Sequence, residues 1–587
     1  MKKSIKKVTA LVTALTLTMG TLASCGSEKE KSSKPASTSQ TGTAATEDTP
    51  SAEPEENYDR SKSDTLNTLD GAEIQTYATE AEAFYDDAAD FDMYTGGTEE
   101  YDDAGENEYT LVADEPLSTF STDVDTASYT TLRRMIGQGY YEPAAVRTEE
   151  FLNYFHYDFP FPENDDKLAI CTELTDCPWN SSAQLLMIGL QAQDIEVTDV
   201  PSNIVFLIDV SGSMESEDKL PLVREAFSLL SDNLGPQDRV SIVTYAGEDS
   251  VVLTGESGAN TDVITDALNN LTAGGSTAGA AGINTAYDIA QQYFIEGGNN
   301  RVILATDGDL NVGPSSTEEL TDLITEKREQ GIFLSVLGFG MGNYKDNRLE
   351  ALADNGNGNY AYIDNLDEAR RVLVTEMNGT LFTVAKDAKV QVEFNPLNVS
   401  GYRLVGYENR IIASEDFEDD EKDGGEIGAA QQVTVLYEII PNDGTEVPVK
   451  ERTLKYQEDI RYPSAEEQTV ESPYANELLT VSVRYKERDE NESKLIEKAV
   501  TKDSYIDFGS SSDNMTVACA ATMFAGLLRE SEITGVKSAE EILSFCSERA
   551  LPEQYSELTD LIQLFIDNAP EKYDYETYYD YDYDILY

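Results

Sequence analysis

From Ser202 to about Val384 the chain alternates short apolar runs with stretches whose apolar residues recur at helical spacing. The runs Ile204–Ile208, Val240–Tyr245, Val302–Ala305, Phe333–Phe339 and Tyr360–Ile363 have the composition of strands buried on both faces. Leu220–Leu234, Thr261–Leu271, Ala280–Phe294, Ser316–Glu329, Asn347–Asp354 and Leu366–Leu381 read as the helices between and after them. This rhythm predicts an α/β domain over 202–384, a doubly wound and mostly parallel sheet. After Val384 the apolar period becomes two. Val390–Phe394, Val433–Tyr437 and Leu478–Tyr485 then read as strands of a β-rich domain over 385–490, with the acidic loop Glu415–Glu426 between the first two.

Upstream, in a flanking domain over 111–201, Leu168–Leu174 and Gln184–Leu190 predict an antiparallel hairpin. Shared β character suggests that this hairpin completes the β-rich domain, leaving the α/β domain inserted between two halves. In the same flank Ser121-Thr122-Asp123 reads as a helix cap, and Arg147–Tyr154 as a helix. Residues 491–570 read as helical. Asn514–Leu528 is apolar on most faces but, at about 15 residues, too short to span a bilayer. Ser538-Ala539-Glu540-Glu541 is a capping box opening the next helix, and Glu553–Ile566 follows.

The two ends differ from this pattern. Lys2, Lys3, Lys6 and Lys7 precede a neutral to apolar stretch, Val8 to Leu22, and then Leu22-Ala23-Ser24-Cys25. Residues 1–24 read as a secretory signal rather than a retained span. The last four residues resemble a bacterial lipobox, which implies lipidation at Cys25 and a place on the extracytoplasmic face of the cell membrane. Residues 25–110 are rich in Ser, Thr, Ala, Glu and Asp, and bury too little to offset ordering entropy, so they read as an acidic tether. The tail 571–587 interleaves Tyr and Asp and reads as a solvated, self-repelling end.

Charge narrows the function. Asp and Glu number 111 against 42 Lys and Arg, a net charge of −69, which argues against nucleic acid and against attraction to anionic lipid and favours cations or basic partners. The single histidine, His156, lies among aromatic residues and leaves no His-based zinc site. Five cysteines without a Cys-x-x-Cys pair indicate neither a zinc ribbon nor a disulfide scaffold; whether Cys519 and Cys546 meet stays open. No Gly-x-x-x-x-Gly-Lys-Ser/Thr loop and no Gly-x-Ser-x-Gly elbow is present, which disfavours an NTPase or a serine hydrolase.

What remains is a set of oxygen donors. Asp209-Val210-Ser211-Gly212-Ser213 ends the first strand of the α/β domain with a carboxylate and two hydroxyls. Thr277 follows a glycine pair, Gly274-Gly275, ahead of a helix, and Asp307 follows the strand Val302–Ala305. Hard oxygens suit Mg²⁺, Mn²⁺ or Ca²⁺. Asp307, Asp309, Asn311 and Glu318 also have EF-hand spacing, but Val312 stands where the turn needs Gly and a strand precedes it.

Asp209, Ser211, Ser213, Thr277 and Asp307 together resemble the metal-ion-dependent adhesion site (MIDAS) of von Willebrand factor type A (VWA) domains. Leu117 to Thr126, Ile303 to Gly308 and Gly338-Phe339-Gly340-Met341-Gly342-Asn343 are similar to bacterial VWA lipoproteins of the YfbK-like type. The resemblance implies a Rossmann-like VWA fold, Mg²⁺ (or Mn²⁺ or Ca²⁺) held by those five residues, and a non-enzymatic protein. It implies a protein or extracellular ligand whose Asp or Glu carboxylate completes the metal's shell. An envelope-assembly or stress-related scaffold regulated by the metal is the alternative. A metal-dependent hydrolase using Asp309 as base is a third.

Overall fold

The computed structural model describes residues 99, 101 and 105–572, apart from 123–124, 165, 195–199, 247–248, 276–278, 309–316, 342–345, 378, 380–381, 421, 423, 450–471, 489, 491 and 532–533. The signal, Cys25, nearly all of the tether, and the tail from 573 lie outside the described residues, as do Thr277 and Asp309. The described residues belong to one compact unit, Ala78–Tyr587.

The α/β domain holds a six-stranded sheet ordered Tyr360–Ile363, Ile332–Phe339, Asn299–Thr306, Ser202–Asp209, Arg239–Tyr245 and Asp249–Ser257. The first five are parallel and the last pairs antiparallel with its neighbour. Side chains alternate along each strand, so a doubly covered strand serves two cores. Ile204, Phe206 and Ile208 pack with the helices Leu220–Ser231 and Thr261–Asn269. Val205 and Leu207 pack with the helices Gly279–Gln292, Thr317–Glu329 and Asp346–Asn355 on the other face.

Two further sheets form a β-sandwich around a shared core. One is ordered Thr110–Leu111, Val399–Val405, Gln432–Pro441, Gln184–Ala192, Leu168–Asp176; the other Gly425–Gly428, Thr383–Phe394, Glu477–Glu487, Lys494–Thr501. Gln184–Ala192 runs antiparallel to Gln432–Pro441, from Gln191 opposite Gln432 to Gln184 opposite Ile439. Segments 111–201 and 385–490 therefore build one sandwich, and the α/β domain is inserted in it. Leu186, Ile188 and Leu190 point into the sandwich, whereas Leu185 and Met187 point out to a helical layer. That layer comprises Ala127–Gly137, Thr148–Asn153, Asp513–Leu528, Ala539–Glu548 and Ser556–Asn568. The Ser512 hydroxyl caps the nearly all-buried helix Asp513–Leu528 by accepting from the Met515 amide.

Three sequence expectations need correction, and one strand had none. Ser121 and Thr122 do not cap a helix. Ser121 ends a strand, Leu117–Ser121, paired with Thr383–Phe394, and the Thr122 hydroxyl donates to the Ala388 carbonyl. Lys494–Thr501, inside the region read as helical, is an edge strand in which Val500 alone is buried. Asp249–Ser257, left unassigned between the strand and helix readings around it, is a strand whose short apolar run Val251-Val252-Leu253 is exposed or half-buried. The helix read over Leu366–Leu381 is α-helical only to Arg370. It then widens into a turn of π-helix over Arg371–Thr375, with the Glu376 amide donating to the Arg371 carbonyl. The described cysteines, Cys171, Cys177, Cys519 and Cys546, are free thiols.

Buried ion pairs fix the α/β domain to its flanks. Arg147 reaches Asp346 at 3.0 Å and Glu350 at 3.2 Å; Arg410 reaches Asp354 at 2.8 Å; Arg133 reaches Asp364 at 2.6 Å and Glu368 at 2.9 Å. Arg410 also reaches Asp125 at 3.1 Å, joining the two flanks to each other.

Phe206 stacks on Phe227 with ring centroids 4.2 Å apart and both side chains are buried. Phe206→Ala is expected to cost about 3–5 kcal/mol in urea unfolding of the purified chain. Burial, reinforced by the neighbouring Glu149 carboxylate, pushes Glu408 up to about 7 from 4.5. The folded chain thus holds that proton more tightly than the unfolded chain, and this residue's contribution to stability is lost as pH rises from about 4.5 to 7. Melting curves should show Glu408→Gln lessening the loss of stability over that window; an unchanged slope contradicts the assignment.

Candidate metal centre

Ser202–Asp209 is the switch strand of the α/β sheet. The chain leaves it toward Arg239–Tyr245 and later returns on its other side as Asn299–Thr306. A crevice forms at the carboxyl ends of strands at such a point. Two acids stand there: Asp209 ends its strand, and Asp307 follows Thr306 at the end of the neighbour. Both are fully buried.

Local bonds hold each donor. One Asp209 carboxylate oxygen, Oδ1, accepts the Ser211 amide at 2.8 Å, and Oδ2 lies 3.5 Å from the Thr306 hydroxyl that donates toward it. The Thr306 hydroxyl in turn accepts the Gly308 amide at 3.2 Å, fixing the backbone after Asp307. The hydroxyls of Ser211 and Ser213 are 3.0 Å apart; Ser211 is buried and Ser213 exposed, so the centre opens to solvent beside Ser213. Gly274 donates its amide to the Val210 carbonyl at 2.8 Å, and Gly212 donates to the Gly275 carbonyl at 3.1 Å. The glycine-pair loop is thereby pinned against the loop after Asp209. Gly275 has φ +90, open to glycine and strained for other residues.

Burial dominates the electrostatics. It pushes Asp209 up to about 6, against the Ser211 hydrogen bonds that lower it, and the charge of Asp307 adds to the push. Tyr245, opposite Asp209 in the strand register, brings a buried hydroxyl to the same place, and burial raises it well above its ordinary value. The Lys219 ammonium lies 3.0 Å from Asp307 Oδ2, with the lysine side chain 10% exposed and the carboxylate 0%.

Of the five residues expected in a metal set, Asp209, Ser211, Ser213 and Asp307 share this crevice; Thr277 lies outside the described residues. Two buried carboxylates with neutral hydroxyls form an all-oxygen donor set that fits a hard divalent cation. Among the described residues no group of three or more His, Cys, Asp or Glu side chains is placed to hold a metal, so only a hydroxyl-assisted set is available. The sequence reading missed Lys219, Tyr245 and Thr306. Tyr245 and Thr306 passed as strand-end residues, and their strand registers beside Asp209 were the signal that could have found them. Lys219, a cation in an acidic chain ten residues past Asp209, was the other signal. Among the described residues no helix is long and apolar enough to cross a membrane.

Comparison with known proteins agrees with this architecture. The family model von Willebrand factor type A domain matches residues 203–375, that of von Willebrand factor matches 95–187, and that of Uncharacterized protein YfbK, C-terminal, matches 379–569. The chain is 39% identical over 455 residues to YfbK of Escherichia coli (strain K12), covering 76% of this chain and 77% of that one. It is 31% identical over 170 residues to the inter-alpha-trypsin inhibitor heavy chain H4 of Homo sapiens, covering 27% of this chain and 18% of that protein. Among solved structures, a von Willebrand factor type A protein from Catenulispora acidiphila covers 67% of this chain and 91% of its own at 14% identity, with a TM-score of 0.35. Proximal thread matrix protein 1 of the mussel byssus, solved with a zinc-occupied MIDAS motif, covers 30% of this chain and 44% of its own at 22% identity and a TM-score of 0.25. The chain carries an α/β VWA domain and belongs to the family of YfbK-like VWA proteins.

Proposed function

We propose that this is a lipid-anchored protein of the extracytoplasmic membrane face whose VWA domain binds a protein ligand through a divalent metal. The observation that carries the reading is the meeting of two buried carboxylates, Asp209 and Asp307, with the Ser211 and Ser213 hydroxyls at an opening to solvent. Asp209, Ser211, Ser213 and Asp307 would hold the ion, with Thr277 as the fifth residue of the set. Mg²⁺ is the ion favoured by an all-oxygen set that leaves room for water, and Mn²⁺ or Ca²⁺ is compatible. Once bound, the ion supplies a Lewis-acid hold on an anionic group. Neutral hydroxyls in contact with it leave that pull intact, so an Asp or Glu carboxylate of a partner is the fitting last ligand.

The chain's own residues orient this contact. The Ser211 amide and the Thr306 hydroxyl fix the Asp209 carboxylate, and the pinned glycine loop keeps the rim in place. The VWA domain is an interaction module, and the role proposed here is binding, with no catalytic step. Lipid at Cys25 and the acidic segment 25–110 would hold the domain away from the membrane surface.

Pull-down from surface-cross-linked cells tests the site. Asp209→Ala and EDTA should each cut recovery of the partner at least tenfold, while circular dichroism of the variant stays that of the wild type. Recovery that survives EDTA contradicts the metal-bridged contact and selects a metal-independent scaffold. Turnover of a hydrolysable substrate abolished by Asp309→Ala would select the hydrolase. Membrane fractionation tests the anchor: Cys25→Ser should move the protein out of the membrane pellet, and retention there contradicts lipidation at Cys25.

A further inference from the structure

Lys219 is not among the proposed metal donors, but its partner Asp307 is. Lys219 Nζ donates to Asp307 Oδ2 at 3.0 Å in a buried setting. The lysine is seated deliberately by another strand end. Gly340 has φ +70, and a side-chain carbon added there would fall 2.3 Å from two carbons of the Lys219 stem. Only glycine leaves room for the lysine to cross. The Gly340 carbonyl accepts the Tyr362 hydroxyl at 2.6 Å, and the Tyr362 carbonyl accepts the Thr130 hydroxyl at 2.9 Å. Arg134, from the same flanking helix as Thr130, lies over the Tyr362 ring at 5.5 Å. The Gly338–Asn343 stretch, noted in the sequence for its likeness alone, thus has a physical task at Gly340.

We propose that Lys219 is a built-in counter-cation of the metal centre, which weakens metal binding and gives the loaded centre its net positive charge. This rests on the metal-dependent reading above. Two carboxylates offset the charge of a divalent ion, so the ammonium leaves the loaded centre with one positive charge and a pull on an anionic ligand. Without metal, Lys219 stands against the repulsion between Asp209 and Asp307. A metal drawing on Asp307 must share that carboxylate with a like-charged ammonium, and like charges so close in a buried site oppose each other strongly.

Isothermal titration of the full mature chain with Mg²⁺ alone tests this, using wild type, Lys219→Gln, Lys219→Met and Lys219→Arg. Gln keeps a hydrogen-bond donor to Asp307 without the charge, and Met keeps only the apolar stem. Both neutral variants should bind Mg²⁺ at least tenfold more tightly than wild type, and Arg should stay near wild type. In EDTA, Lys219→Met should melt several degrees below wild type, because a buried carboxylate has lost its cation, and saturating Mg²⁺ should close the gap. Equal Mg²⁺ affinity across all four chains, or weaker binding by the neutral variants, overturns the counter-cation while leaving the metal reading standing. A wild type with no affinity for Mg²⁺, Mn²⁺ or Ca²⁺ overturns the metal reading and this inference with it. If Lys219→Met does not fold, Lys219→Gln decides the affinity and its melting curve in EDTA replaces that of Met.

Discussion

The fold converges on one electrostatic problem, two carboxylates buried side by side at the ends of adjacent parallel strands. Asp209 and Asp307 are both fully buried, and burial together with Asp307 already pushes Asp209 up to about 6. Isolated buried charges are expensive, so such a pair takes up a proton or is answered by a cation. Lys219 answers once, through Asp307. The hydroxyls of Ser211, buried, and Ser213, exposed, stand 3.0 Å apart beside Asp209. Parallel strands make this geometry natural, because neighbouring strands deliver their carboxyl ends to the same edge of the sheet.

The rest of the chain keeps that edge in place. The α/β domain is inserted into a β-sandwich built from segments on both sides of it, and a helical layer covers the sandwich's outer face. The arginines at 133, 147 and 410 tie the domain to these flanks through ion pairs. From the flanking helix Ala127–Gly137, contacts run through Tyr362 to the Gly340 carbonyl that borders Lys219. The lysine, its glycine seat and the flanking helix form one continuous packing unit.

Much of this was legible from residues alone. Continuous apolar runs identified the buried parallel strands, because doubly covered strands need no polar face, and Asp209-Val210-Ser211-Gly212-Ser213 stood out at a strand end. The edge strands Asp249–Ser257 and Lys494–Thr501 escaped, because their few apolar residues form neither a long run nor a clean alternation. The break at Arg370 escaped because a π-turn keeps helical composition. Lys219 and Tyr245 escaped for a different reason. Their importance lies in what they face across the fold, an Asp307 that is distant in sequence and an Asp209 across a strand register. Pairings of that kind are set by topology rather than by local pattern.

The most direct measurement is a crystal of the mature chain grown with Mn²⁺ and examined by anomalous scattering. The account predicts a single strong peak at the carboxyl end of Ser202–Asp209, about 2 Å from the Ser211 and Ser213 hydroxyls, with Asp209 and Asp307 in its first or second shell and one face open beside Ser213. No peak there at saturating Mn²⁺, or a peak bound by other residues, would contradict it.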